Sequence, residues 1–231
     1  MSHLKFISCC SLGLFLAGLL AIAQQETQKS AAPEAAPASI GILLDNSGSM
    51  KDKRKAAVAA LKELVKASNP GDEFFVVNFN QSPYMDVDYT SNQQAIFHAL
   101  ELATAKGPTS MNDALIAAAE HFRKGAKYKK KIIVLLTDGV DNSSRMSFRQ
   151  VLEELHKPDM PAVYCIGLSY RGKAAPERNQ LDLFSQETGG KAFYPENEKQ
   201  LNNMVRLVIQ EIRALKPALS QDNHSDSAVK H

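Results

Sequence analysis

Residues 40–50 read IGILLDNSGSM, an apolar run followed at once by a short polar loop. The run carries no charge before Asp45, which is typical of a strand buried on both faces of a parallel sheet. Asp45, Ser47 and Ser49 place three oxygen-bearing side chains at alternate positions, and Gly48 supplies the backbone freedom of a tight loop. In open α/β sheets, ligands bind at the carboxyl ends of the strands. An ordinary strand-to-helix turn uses the same residue types, so the choice between a site and a turn depends on the rest of the chain.

Strand-like and helix-like segments alternate along most of the chain. Short apolar runs predict strands at residues 40–45, 73–79, 84–89, 131–137, 162–168 and 191–194. Apolar residues at helical spacing predict helices at residues 51–66, 91–102, 112–123, 147–156, 181–187 and 199–215. This alternation predicts an α/β fold with a doubly wound, mostly parallel sheet. The short turn at residues 80–83 allows only antiparallel pairing of the strands that it joins, so the strand at 84–89 is expected at an edge.

Two more polar segments are expected at the edge of the sheet where Asp45 lies. Asp138 follows a buried strand, as Asp45 does, and Thr109 lies in the loop before the helix that leads into that strand. Together with Ser47 and Ser49, they supply two carboxylates and three hydroxyls. Oxygen donors alone suit a hard cation such as Mg²⁺, whereas zinc would favour cysteine or histidine. The five residues are therefore candidate ligands of a divalent cation.

Three segments resemble the motif loops of the von Willebrand factor type A domain: DNSGSM (45–50), GPTSMNDAL (107–115) and LLTDGVDN (135–142). Three others resemble exported bacterial proteins called von Willebrand factor A-related: GDEFFVVNFN (71–80), YCIGL (164–168) and ETGGKAFYPEN (187–197). The resemblance covers about residues 39–215. It departs from the family at Pro108, which stands where a glycine is usual and stiffens the loop that carries Thr109.

The resemblance implies a Rossmann-like fold with a metal-ion-dependent adhesion site. It implies that Ser47, Ser49 and Thr109 are hydroxyl ligands and that Asp45 and Asp138 act directly or through water. Mg²⁺ is the expected cation, with Mn²⁺ or Ca²⁺ as alternatives. Neutral hydroxyls leave such a cation incompletely neutralised, so it can accept a carboxylate as its last ligand. A protein partner that supplies an acidic side chain is therefore expected.

Two other functions remain open at this stage. A strand-end aspartate beside Mg²⁺ also suits hydrolysis or phosphoryl transfer. A phosphatase would require a second acid two residues after Asp45, where Ser47 stands, and neither a Gly-x-Ser-x-Gly elbow nor a phosphate-cradling glycine-rich loop with lysine is present. The third reading is a scaffold domain whose metal site is not functional. The expectation is a binding module and not an enzyme.

The first residues have the pattern of an export signal. Lys5 precedes an apolar stretch at residues 6–20, and Ala21-Ile22-Ala23 matches the small-x-small pattern of a cleavage site. Cleavage after Ala23 would define a signal peptide at residues 1–23 and a periplasmic or extracellular protein with no stable membrane span. Retention of this segment as an anchor is the alternative. The domain at 39–215 lies between two segments that are polar or rich in Ala and Pro, residues 24–38 and 216–231. The first is expected to be a disordered linker and the second a disordered tail.

Bulk composition excludes several functional classes. The 231 residues carry a formal net charge of only +2, with both signs interspersed, so neither nucleic acid nor an anionic membrane surface is implied as a partner.

Cys9 and Cys10 would leave with the signal, and a single remaining cysteine, Cys165, cannot form an internal disulfide. Because Cys165 lies in a predicted strand, it is expected to be a small buried apolar residue.

Overall fold

The structure is a computed structural model that describes residues 36–168 and 176–214. The strands are β1 (Ser39–Asp45), β2 (Glu73–Phe79), β3 (Pro83–Thr90), β4 (Lys131–Thr137), β5 (Ala162–Gly167) and β6 (Ala192–Phe193). The helices are α1 (Arg54–Ala67), α2 (Gln93–Leu102), α3 (Met111–Gly125), α4 (Phe148–Leu155), α5 (Pro176–Glu187) and α6 (Glu198–Ala214). A 3-10 turn at Gly48–Met50 connects β1 to the approach to α1.

The strands form one sheet in the order β3-β2-β1-β4-β5-β6. All neighbouring pairs are parallel except β2 and β3, which run antiparallel at one edge. The predicted fold class and the predicted antiparallel edge strand are therefore confirmed. The chain moves from β1 to β2 on one side and returns to β4 on the other side of β1, so the order reverses between β1 and β4. Crevices at such reversals are where ligands bind in open α/β sheets.

The two faces of the sheet are buried by different helices. One face packs against α1, α2 and α6, with Ile42 of β1 and Val208 of α6 among the fully buried side chains. The other face packs against α3, α4 and α5, with Leu43 of β1 and Phe184 of α5 in its core. Successive side chains of β1 thus enter opposite cores, which explains why this strand is a continuous apolar run.

Several element boundaries differ from the prediction. The helix predicted at 51–66 begins at Arg54, because the buried Met50 belongs to the preceding 3-10 turn. The helix predicted at 181–187 begins at Pro176, within a polar stretch that has little apolar periodicity, and the last strand is shortened to Ala192–Phe193. The predicted signal, most of the linker and the tail lie outside the described residues. Ala38, at the end of the predicted linker, is buried and packs with the domain.

Candidate functional site

Asp45 lies at the carboxyl end of β1 and is fully buried. Its Oδ1 accepts a hydrogen bond from the backbone N–H of Ser47 at 2.7 Å, and its Oδ2 accepts one from the Thr137 hydroxyl, at the end of the neighbouring β4, at 2.6 Å. Burial raises the pKa of the Asp45 carboxyl; the hydrogen bonds from Thr137 and Ser47 oppose that rise, and the charge of Asp138 adds to it. The carboxylate therefore fixes the start of the polar loop to the end of β4.

The hydroxyls of the loop form a chain that ends on the second carboxylate. Ser47 Oγ lies 3.0 Å from Ser49 Oγ, and Ser49 Oγ donates to Asp138 Oδ1 at 2.7 Å. Because Ser49 has one hydroxyl proton and gives it to Asp138, Ser47 donates to Ser49. The structure thus brings four of the five predicted residues, Asp45, Ser47, Ser49 and Asp138, together at one edge of the sheet.

Thr109 reaches the same edge through backbone contacts of its loop. Gly48 N donates to the carbonyl oxygen of Gly107 at 2.9 Å, so the Thr109 loop is held against the Ser47–Ser49 loop. A Cβ at Gly139 would lie 3.7 Å from Thr109 Oγ1 and 3.8 Å from Ser49 Oγ. The missing side chain at position 139 therefore leaves room between these two hydroxyls.

Lys53 adds a positive charge to this group, which the sequence did not indicate. Its ammonium forms an ion pair with Asp138 Oδ2. The Asp138 side chain is 1% exposed and the Lys53 side chain is 26% exposed. One of the two buried carboxylates thus has a cationic partner within the protein.

Two nearby aspartates brace the surrounding loops instead of joining the candidate ligands. From sequence, Asp113 belongs to a helix N-terminus and Asp141 to a turn. Asp141 accepts the backbone N–H of Asn112 at 2.7 Å and the hydroxyl of Ser144 at 2.5 Å. Asp113, in the first turn of α3, accepts backbone N–H groups of the loop at residues 145–146. Both carboxylates hold the start of α3 against the loop after β4.

The donor set fits a hard divalent cation. It consists of carboxylate and hydroxyl oxygens, and the space left by Gly139 lies between two of the hydroxyls. Within the described residues, no group of three or more His, Cys, Asp or Glu side chains is arranged to hold a metal. A cation at this edge would therefore depend on the serine and threonine hydroxyls as well as on the two aspartates.

Thr137 and Lys53 are the residues of this site that sequence reasoning missed. The one signal for Thr137 in the sequence is its place directly before Asp138, at the end of a predicted strand. Its contact with Asp45 follows from the pairing of Leu44 with Leu136, which the structure shows. No such signal exists for Lys53, which precedes a helix whose first turn contains no acidic residue. Its contact depends on the path of the loop and is visible only in three dimensions.

Residues 40–140 match the family model of the von Willebrand factor type A domain, and all five candidate ligands lie within the match. Over these residues the chain is similar to von Willebrand factor type A domains. The structure is similar to a von Willebrand factor type A protein from Catenulispora acidiphila, with a TM-score of 0.67 and 20% identity over 78% of this chain and 43% of that one. It is also similar to the pilus adhesin SpaC from Lactobacillus rhamnosus GG, with a TM-score of 0.64 and 16% identity over 77% of this chain and 30% of that one.

One curated relative is a calcium-activated chloride channel regulator 1 from Equus caballus, which is 28% identical over 172 residues. The match takes in 71% of this chain but only 18% of the horse protein. This chain therefore spans less than a fifth of that relative.

Proposed function

We propose that this domain is an exported protein-binding module in which one Mg²⁺, held by Asp45, Ser47, Ser49, Thr109 and Asp138, is completed by a carboxylate of a partner protein. The observation that carries the proposal is the hydroxyl chain from Ser47 through Ser49 to Asp138 at the point where the strand order reverses. When bound, the cation supplies positive charge that neutral hydroxyl donors do not cancel. An acidic side chain is the partner chemistry that such a site selects.

Each protein group has a separate task in this proposal. Asp45, held by Thr137 and by the backbone of Ser47, fixes the loop and contributes negative charge. Ser47 and Ser49 offer hydroxyl oxygens without adding charge. Asp138 is the second carboxylate, and its position follows from β4 being the direct neighbour of β1.

The relatives support a role in contacts between proteins. SpaC, which shares this fold, is a pilus adhesin, and the horse relative is a channel regulator. These roles belong to much longer chains. For this protein we infer the type of contact, a metal-dependent one to an acidic residue, from the five side chains themselves.

The proposal includes export to the periplasm or the cell exterior. Lys5, the apolar residues 6–20 and the Ala21-Ile22-Ala23 site form the signal pattern on which this rests. Within the described part of the chain, no helix is long and apolar enough to cross a membrane. The mass of the mature protein tests this part: we expect Gln24 at the N-terminus, and residues 1–23 still attached in the membrane fraction would indicate an anchor.

Partner capture from envelope extract, with Mg²⁺ or with chelator, tests the function. We expect binding to be lost with chelator and in both the Ser49→Ala and Asp138→Ala variants, each of which should cost about 2 kcal/mol or more, as interface hot spots do. Ser68→Ala is the matched control, since its hydroxyl donates to the Val65 carbonyl near the far end of α1. A partner that binds equally well with chelator and to the Asp138→Ala variant would show that another surface of the domain is used.

A further inference from the structure

The buried carboxylate of Asp138 has a counter-ion within the protein. Its Oδ2 pairs with the Lys53 ammonium, and its Oδ1 accepts the Ser49 hydroxyl. Both oxygens are therefore occupied by donors from the loop and turn that lead into α1. A divalent cation that binds Asp138 meets an ammonium already in contact with the same carboxylate.

Lys53 differs from the neighbouring basic residues in the groups that its side chain contacts. Arg54 directs its guanidinium to Asn46 Oδ1 at 2.6 Å and to the backbone carbonyl of Leu100 at 2.8 Å, so its contacts are to neutral groups. Lys51 is exposed and has no carboxylate partner among the described residues. In the described part of the chain, Lys53 is thus the one cation paired with a candidate ligand.

The position of Lys53 also breaks a local electrostatic rule. It is the residue that precedes α1, it makes no side-chain cap, and the first turn of α1 contains no acidic residue. Positive charge at a helix N-terminus is unfavourable, because the macrodipole is positive there. The ion pair with Asp138 offsets this unfavourable interaction of Lys53 with the helix dipole. The ammonium of Lys53 therefore contacts the site and not the helix.

We propose that Lys53 competes with the divalent cation for Asp138 and thereby sets the cation affinity of the site. This inference rests on the proposed metal site. In the metal-free protein, the ammonium offsets one of the two carboxylate charges that otherwise repel each other. Its flexible four-carbon stem and its partial exposure allow the ammonium to move to water when the cation binds. Cation binding therefore replaces the ammonium of Lys53 with the divalent cation at Asp138. Cations that bind weakly or are scarce do not displace the ammonium.

Calorimetric titration with Mg²⁺ alone tests this competition. We expect Lys53→Gln to bind Mg²⁺ at least about tenfold more tightly than the natural protein, because a positive charge next to the cation is removed. Lys53→Arg retains the charge and should bind Mg²⁺ no more tightly than the natural protein. Lys51→Gln removes a charge of the same sign two residues away, where there is no contact with a candidate ligand, and should change the affinity much less.

Thermal unfolding of the same variants provides a second readout. In chelator, Lys53→Gln should melt at a lower temperature than the natural protein, since Asp138 is then buried without a counter-ion. The rise in melting temperature on adding Mg²⁺ should be larger in this variant, because stabilisation of the native state by a ligand grows with the logarithm of its concentration relative to Kd.

The possible outcomes separate this inference from the proposed function. If the natural protein and Lys53→Gln bind Mg²⁺ with the same affinity, the metal site stands and the competition is refuted. If Lys53→Gln alone binds Mg²⁺, the competition is confirmed, and the natural chain does not use Mg²⁺ as proposed. If no variant binds Mg²⁺, both the competition and the metal site are refuted.

Discussion

At the scale of single residues, the Thr137 hydroxyl has the clearest energetic role. It is buried and donates to the equally buried Asp45 Oδ2 at 2.6 Å. Valine has nearly the same shape but no hydroxyl, so Thr137→Val leaves a buried carboxylate oxygen without its donor. We expect a loss of about 1.5–3 kcal/mol in the free energy of unfolding, as for hydrogen bonds to charged groups. Urea unfolding in chelator measures it.

Thr137→Ser is the matched comparison, since it keeps the hydroxyl and loses only a methyl group. It should be more stable than Thr137→Val. Equal stability of Thr137→Val and the natural protein would mean that the Asp45 carboxylate does not depend on this donor.

The grouping of four candidate ligands at one edge of the sheet could be predicted, because each of them follows a strand end or lies in a motif loop. Asp45 and Asp138 directly follow buried apolar runs, and parallel strands present such positions at one edge. The ion pair of Lys53 could not be predicted, because it joins residues 85 positions apart through the path of an irregular loop. Sequence periodicity contains no information about such a contact.

At the scale of elements, the packing of β1 against β2 depends on Gly41. A Cβ at this position would lie 2.4 Å from the Phe75 ring of β2, its partner in the parallel register. The ring is in edge contact with Tyr89, His121 and Phe122, at centroid distances of 5.1, 4.7 and 5.0 Å, so it has no free space to move into. Gly41→Ala should therefore destabilise the domain by about 1–3 kcal/mol through overpacking.

Chemical denaturation of Gly41→Ala checks this value against two controls. Gly71→Ala should be close to neutral, because its Cβ would be 3.5 Å from Pro37 Cβ, an ordinary contact. Adding Phe75→Leu to Gly41→Ala should recover part of the loss. A Gly41→Ala protein as stable as the natural one would mean that the Phe75 ring can shift to accommodate the methyl group without cost.

Element types were predictable and their ends were not. The six strands could be predicted from apolar runs of four to seven residues, because runs of this length are typical of strands and short for helices. The start of α1 was misplaced because the segment before it, residues 48–50, forms a 3-10 turn around the buried Met50. Tertiary burial of one methionine shifted the helix start by three residues.

At the scale of the whole molecule, the strand order places the two polar loops side by side. Alternating strands and helices indicate a doubly wound sheet but do not specify which strands are neighbours. The structure shows that β4 lies next to β1, although β2 and β3 come between them in the chain. This adjacency brings Asp138 to within hydrogen-bonding distance of Ser49.

Locating the cation itself tests directly whether these five residues hold it. Crystals of the natural protein grown or soaked with Mn²⁺, at a concentration shown by titration to saturate, would reveal the ion by its anomalous scattering. We expect one peak bonded to the hydroxyls of Ser47 and Ser49, with Thr109 and the carboxylates of Asp45 and Asp138 bonded to it directly or through water. No peak at this edge, or a peak held by other residues, would contradict this expectation.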